Sequence, residues 1–299
     1  LLLVADFGIL HPTRFIWARS ELVSWQSNKV PKPLYSTGLK AYYSLIKGFR
    51  SWIGQSSNIG VDRDTGEEYH WKDIIMFDDN IRHKHRAALL KAISETSLIK
   101  ESIFIFSKNS LIDLNEIPKE GIWISHIGNR NHKKIFRLIV KTRNFGKHNL
   151  VINLIEDLKK DSINDETIWL IKMGSGFKEK PLSENFGGYW PEYNLYTEEY
   201  IQGETLDRYL KRNEKDINDK VRVDRWQMRW LHFIWNGIQA YQELWGRSNL
   251  EKSIQPSSPE NLIIPQHDYK TGTRIISISD IKPVESFAQH FLSLYTDFI

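Results

Sequence analysis

Pro259-Glu260-Asn261-Leu262-Ile263-Ile264-Pro265 is followed, after a turn at Thr271-Gly272, by Ile275-Ile276-Ser277-Ile278-Ser279-Asp280. Both runs are short, apolar and rich in β-branched residues, and turn formers bound them. The segment therefore predicts two short strands joined by a loop. One strand opens on an asparagine and the other closes on an aspartate. Taken singly, each has an ordinary reading: Asn261 follows a proline turn, and Asp280 ends a strand with a side-chain turn.

The rest of the chain must supply the body around this pair. Its 299 residues are enough for two domains, and a hydrophobic share of 40% can fill a core. The formal charge of +4 is a slight basic excess that permits nucleotide or nucleic-acid binding without demanding either. There are no cysteines, which excludes disulfides and thiolate-held zinc or iron–sulfur centres. No apolar run reaches the roughly 18 residues a membrane helix needs. Leu1–Leu10 has no basic start and is broken by Asp6, so it does not read as a signal peptide. A cytoplasmic protein is the expectation. The chain starts at Leu1 and stops at Ile299 with no polar tail, which reads as a piece of a longer polypeptide.

Upstream, Leu1–Ala5 is strand-like and Gly38–Phe49 is compatible with a helix. Asp62, Asp64 and Glu67 lack the ligand spacing of a calcium loop and read as a solvated turn. Asp73–Phe77, His83–Ile99 and Ser102–Phe106 read as strand, helix and strand. Asp78-Asp79 falls between the first strand and the helix, where strand-end loops carry ligands and where acids also cap helices. His83 and His85 are two apart and point to different helix faces.

Asn109–Lys119 is a loop, and the pattern changes after it. Gly121–Ser125, Lys134–Val140 and Asn149–Ile155 form three alternating runs with polar turns, the pattern of an antiparallel meander. Gly187-Gly188 closes a loop before the strand Leu195–Ile201, which leads through Gln202-Gly203-Glu204-Thr205 into a helix at Leu206–Arg212. Arg222–Trp245 predicts the longest helix, with Trp226, Trp230, Gly237 and Tyr241 along one stripe assigned to the core.

From about residue 120 this order of elements resembles the protein kinase-like superfamily. Glu198-Glu199-Tyr200-Ile201-Gln202-Gly203-Glu204-Thr205-Leu206 is similar to the family's hinge, and Pro259–Ile264 with Ile276–Asp280 is similar to its metal-binding segments. The stretch around Trp169, Phe186–Trp190 and Glu198-Glu199 also resembles accessory regions of bacterial multidomain proteins that use phosphoenolpyruvate or pyruvate. The kinase resemblance implies an α+β fold: a two-lobed kinase-like domain, one lobe an antiparallel meander and the other helical, preceded by a smaller α/β domain. The expected domains are 1–118 and 119–299, the latter divided into 119–201 and 202–299.

The resemblance further implies ATP and Mg²⁺ as cofactors for an active domain, and weak or no nucleotide binding, with no cofactor, for a pseudokinase. Asn261 and Asp280 would hold the metal through the hard oxygen donors Mg²⁺ prefers. Glu199 and Ile201 would read the adenine edge, and Lys172 would meet the phosphates. Lys141 is a second candidate for that lysine, and the family's own position falls near Asn153. The sequence departs from the family where chemistry is done. The catalytic carboxylate would stand five residues before Asn261, and that residue is Pro256, which cannot accept a proton. Ile254 stands where the family has histidine, Ile281-Lys282 follows Asp280 in place of Phe-Gly, and the turn Ile127–Asn131 has one glycine.

The function expected is therefore a pseudokinase, regulatory or scaffolding, whose partners are other domains of the same chain rather than a membrane. The alternatives are an active atypical phosphotransferase using Glu260 or Asp268, and a nucleic-acid module using Arg222, Arg225 and Arg229.

Overall fold

The structure is a computed structural model describing residues 59–62, 65–107, 112, 114–130, 133–156, 186–217, 252–254, 260, 262–266, 274–276, 281–283, 286, 288 and 292. These fall into two compact units, with the chain passing from the first to the second between Tyr200 and Ile201.

The first unit begins with a hairpin of β1 (Ile59–Val61) and β2 (Glu68–His70), turned at Gly66 with φ +71°. A single helical turn, α1 (Trp71–Ile74), follows; the His70 amide donates to Asp73 Oδ2 at 2.8 Å and closes its N-terminus. β3 (Ile75–Phe77), α2 (His83–Glu95) and α3 (Leu98–Ser107) come next. Then β4 (Ile122–Arg130), β5 (Lys133–Thr142) and β6 (Gly146–Ile155) form the expected antiparallel meander. β7 (Phe186–Trp190) and β8 (Leu195–Glu199) complete a six-stranded mixed sheet of order β3-β4-β5-β6-β8-β7.

One face of this sheet carries Ile122, Ile124, Phe136, Leu138, Val140, Leu150, Ile152 and Leu195, all buried by strand alternation. In the same core cluster are Leu89, Ala92 and Ile93 of α2 and Leu98, Ile99 and Ile103 of α3. Thr96 separates the two helices. Its hydroxyl donates to the Ala92 carbonyl at 2.6 Å and accepts from the Leu98 amide at 3.2 Å, so one side chain ends α2 and starts α3.

Two expectations change here. Ser102–Phe106 belongs to α3 and is not a strand, because an apolar run with no polar face serves a buried helix as well as a buried strand. β3 pairs in parallel with β4 instead, Ile75 against Ile122. Residues 118 and 119 lie in the connection between α3 and β4. Gly187-Gly188 lies in β7 rather than in a loop. A Cβ on Gly187 would sit 2.3 Å from Thr197 Oγ1 and 2.9 Å from Phe106, so only glycine lets β7 approach α3 and β8 this closely.

A charge cluster ties the end of β6 to α2. Glu156 Oε1 lies 2.9 Å from both Lys84 Nζ and His85 Nε2, and Oε2 lies 3.8 Å from Lys134 Nζ. Hydrogen bonds from His85 and then Lys84 hold the carboxyl down at about 2, below its usual 4.5. A folded-state value below the unfolded one means stabilisation that is complete above the unfolded value and fades as pH falls from about 4.5 to about 2. Glu156→Gln is expected to flatten that acid limb, checked by urea midpoints measured across the window. Equal pH dependence in the two proteins would remove Glu156 from the account.

The second unit contains β9 (Gly203–Thr205), α4 (Leu206–Ile217), β10 (Lys252–Ile254), β11 (Leu262–Pro265), β12 (Arg274–Ile275) and β13 (Ile281–Pro283). β11 is central in a three-stranded sheet of order β12-β11-β9, and β10 pairs with β13. All four residues of β11 are buried. The expected hairpin exists as β11 and β12, with Leu262 opposite Ile275. The run expected as one strand, Ile275–Asp280, is corrected: Ile275 closes β12 and a separate strand starts at Ile281. The helix expected at Arg222–Trp245 and the elements expected before residue 59 lie outside the described residues. Among the described residues no helix is long and apolar enough to cross a membrane.

Candidate functional site

Two ladders in the second unit frame the segments singled out from the sequence. Ile254 at the end of β10 pairs with Ile281 at the start of β13, and Leu262 at the start of β11 pairs with Ile275 at the end of β12. The connections 255–261 and 276–280 therefore begin and end on the same two paired positions. Asn261 immediately precedes β11, Asp280 immediately precedes β13, and Pro256 stands two residues beyond β10. Asn261, Asp280, Pro256 and Lys172 themselves lie outside the described residues. Among those described, no group of three His, Asp or Glu side chains is arranged to hold a metal.

The hinge-like run divides by environment. Glu199 closes β8 opposite Leu150 and is half-buried, while Ile201 is buried. Tyr200 lies under the Arg137 guanidinium, 4.1 Å from its ring centre, and Arg137 donates to Asn149 Oδ1 at 2.9 Å. Further on, β9 adds to β11: Gly203 pairs with Pro265, and the Gln266 amide donates to the Gln202 carbonyl at 2.9 Å. A Cβ on Gly203 would stand 2.3 Å from the Ile264 carbonyl oxygen, so glycine is required for β9 to reach β11. Helix α4 then starts at buried Leu206 and is braced by Arg212 on Glu204 at 2.9 Å.

In the first unit, Asn153 sits in β6 opposite Tyr196 and is buried; its amide donates to Glu198 Oε2 at 2.7 Å. Lys133 opens β5 on the same sheet face, also buried, with Nζ 5.3 Å from the Tyr196 ring centre. An ammonium, a carboxylate, an amide and a phenol thus share one interior face. Sequence reading missed Lys133 because it stands just before the run Lys134–Val140, next to a polar turn. The available signal was Asn153, a lone amide in Val-Ile-Asn-Leu-Ile. Lys141, the other candidate lysine, is exposed and faces Lys147 across the ladder.

The turn expected at Ile127–Asn131 is also corrected. β4 continues to Arg130, with a bulge between His126 and Gly128, and Gly128, Asn129 and Arg130 pair with Ile135, Lys134 and Lys133. The longer ladder forms because residues 133–135 continue the meander's alternation. A ladder, not a loop of free amides, occupies this stretch.

No protein-family model matches the chain, and no curated protein matches it. Among solved structures, the chain is similar to the kinase domain of maize sucrose-induced receptor kinase 1 bound to AMP-PNP. The two are 13% identical, with a TM-score of 0.39, over 57% of this chain and 55% of that one. The chain thus matches just over half of that domain's length, and a likeness of this size assigns neither family nor activity. What the structure itself establishes is a mixed α/β protein built on a six-stranded sheet.

Proposed function

We propose that residues from about 120 onward form a degenerate kinase-like domain, a pseudokinase that regulates or scaffolds neighbouring domains of its own chain. In this reading Asn261 and Asp280 make weak contact or none with a magnesium–nucleotide complex, and phosphoryl transfer does not occur. The observation that carries it is the framing of 255–261 and 276–280 by the β10–β13 and β11–β12 ladders. That framing ties both connections to the same pair of ladders, which supports a metal shared between them. Catalysis is opposed by three features. Pro256 stands at the base position, the amide of Asn153 stands at the expected lysine position and is spent on Glu198, and residues 128–130 are paired in a ladder.

The test is incubation with Mg·ATP, scoring ADP release and autophosphorylation beside an Asp280→Asn variant. The expected result is no turnover above that variant, with millimolar Mg·ATP stabilising the fold by less than about 1 kcal/mol. Turnover that Asp280→Asn abolishes would overturn the proposal. Further loss in Glu260→Gln would replace it with an active phosphotransferase using the exposed Glu260.

A further inference from the structure

A cavity of about 210 Å³ opens in the first unit, beside the loop that joins β3 to α2. Arg82, His85, His126, Asn129 and Lys134 line it, and Phe136 walls it, its ring centre 5.9 Å from that of His85 and 5.5 Å from that of His126. Donors dominate this lining, and no carboxylate is among its residues. Glu156 lies behind His85 and Lys134, but it is already shared with Lys84, so it does not neutralise all three. Asp78 and Asp79 belong to the adjoining loop; Asp78 Oδ1 accepts from the Asn80 amide and Asp79 lies 4.0 Å from Arg86, and neither lines the cavity. Asn129 Oδ1 is engaged by His126 Nε2 at 2.9 Å, which leaves its amide nitrogen as a donor.

We infer that this cavity binds a phosphoryl group, as free phosphate or as a small phosphomonoester. A guanidinium, an ammonium and a side-chain amide line this space beside two imidazoles whose Nε2 atoms are engaged by Glu156 and by Asn129, and no carboxylate is among the lining residues. A tetrahedral dianion with several acceptor oxygens uses such donors from several directions at once. Arg82 also occupies the N-cap of α2 and makes no side-chain cap there, so the partial positive charge of the helix start adds to the same field. Phe136 and Ile81 give an apolar wall for the organic part of a monoester. The volume is below the roughly 300 Å³ at which pockets for larger organic ligands begin, which favours a small phosphorylated ligand. The site uses none of the residues assigned to magnesium–nucleotide contact and stands or falls separately from that reading.

The full chain is titrated by calorimetry at low ionic strength with inorganic phosphate and with phenyl phosphate. The variants are Lys134→Gln, Arg82→Gln and, as a control of equal charge change, Lys147→Gln at the opposite end of the β5–β6 ladder. Saturable binding at one site is expected. Each of the first two variants should weaken it by about tenfold or more, and Lys147→Gln should leave it unchanged. Tighter binding of phenyl phosphate identifies a monoester site and equal binding a free-phosphate site; either upholds the inference. It is overturned if neither probe saturates by about 10 mM, or if Lys147→Gln weakens binding as much as the cavity variants do. Arg82 is exposed, so its variant keeps the test valid should Lys134→Gln misfold.

Discussion

Asn153→Leu is expected to lower folding stability by about 2–3 kcal/mol, although leucine matches asparagine closely in shape and suits a strand between apolar neighbours. The cost falls on the partner. Glu198 is 3% exposed and takes a 2.7 Å hydrogen bond from the Asn153 amide. A carboxylate kept from water and deprived of a donor loses far more than the net worth of one hydrogen bond. The double variant Asn153→Leu with Glu198→Leu should therefore cost less than the sum of its single changes, as expected for directly coupled neighbours. Urea unfolding of all four proteins checks this. Strict additivity would mean that the bond contributes nothing in solution.

Gly203→Ala carries the second large effect, and a single methyl group causes it. The new Cβ would stand 2.3 Å from a backbone oxygen of β11, and the backbone has no rotamer into which to retreat. β9 must move away, weakening the pairings of Gly203, Glu204 and Thr205 with Pro265, Ile264 and Ile263. Overpacking costs about 1–3 kcal/mol, and the lost ladder bonds add about 1 kcal/mol each, so a total near 3 kcal/mol is expected. Hydrogen exchange gives the location: the Ile263 and Ile264 amides should exchange faster, while Ile152 in the other unit keeps its protection. An unchanged urea midpoint would show that β9 does not rest on β11.

These two sites differ in how far the sequence revealed them. The alternation of Phe136, Leu138 and Val140, and of Leu150, Ile152 and Leu154, was enough to predict the meander, because one buried face imposes a period of two. The β11–β12 hairpin was legible for the same reason, along with its bounding turns. The division at Ile281 was not, since an apolar run does not say that its two ends pair with different strands. Helix α3 was misread because its apolar stretch Ile103–Phe106 is too short to distinguish a helical period from a strand. The Asn153–Glu198 bond joins residues 45 positions apart, and nothing local marks either as the other's partner. Gly203 was noted as part of a hinge-like run; the carbonyl that makes glycine necessary comes from a strand 60 residues later and is visible only in three dimensions.

The central claim is that Asn261 and Asp280 face one metal position. Because the chain contains no cysteine, Asn261→Cys with Asp280→Cys introduces the only thiols present, and a short bifunctional thiol reagent then reports their proximity. The account predicts rapid intramolecular crosslinking in the folded double variant, suppressed in denaturant, with only single-site labelling in each single variant. A folded double variant that labels at both thiols but never crosslinks would contradict it.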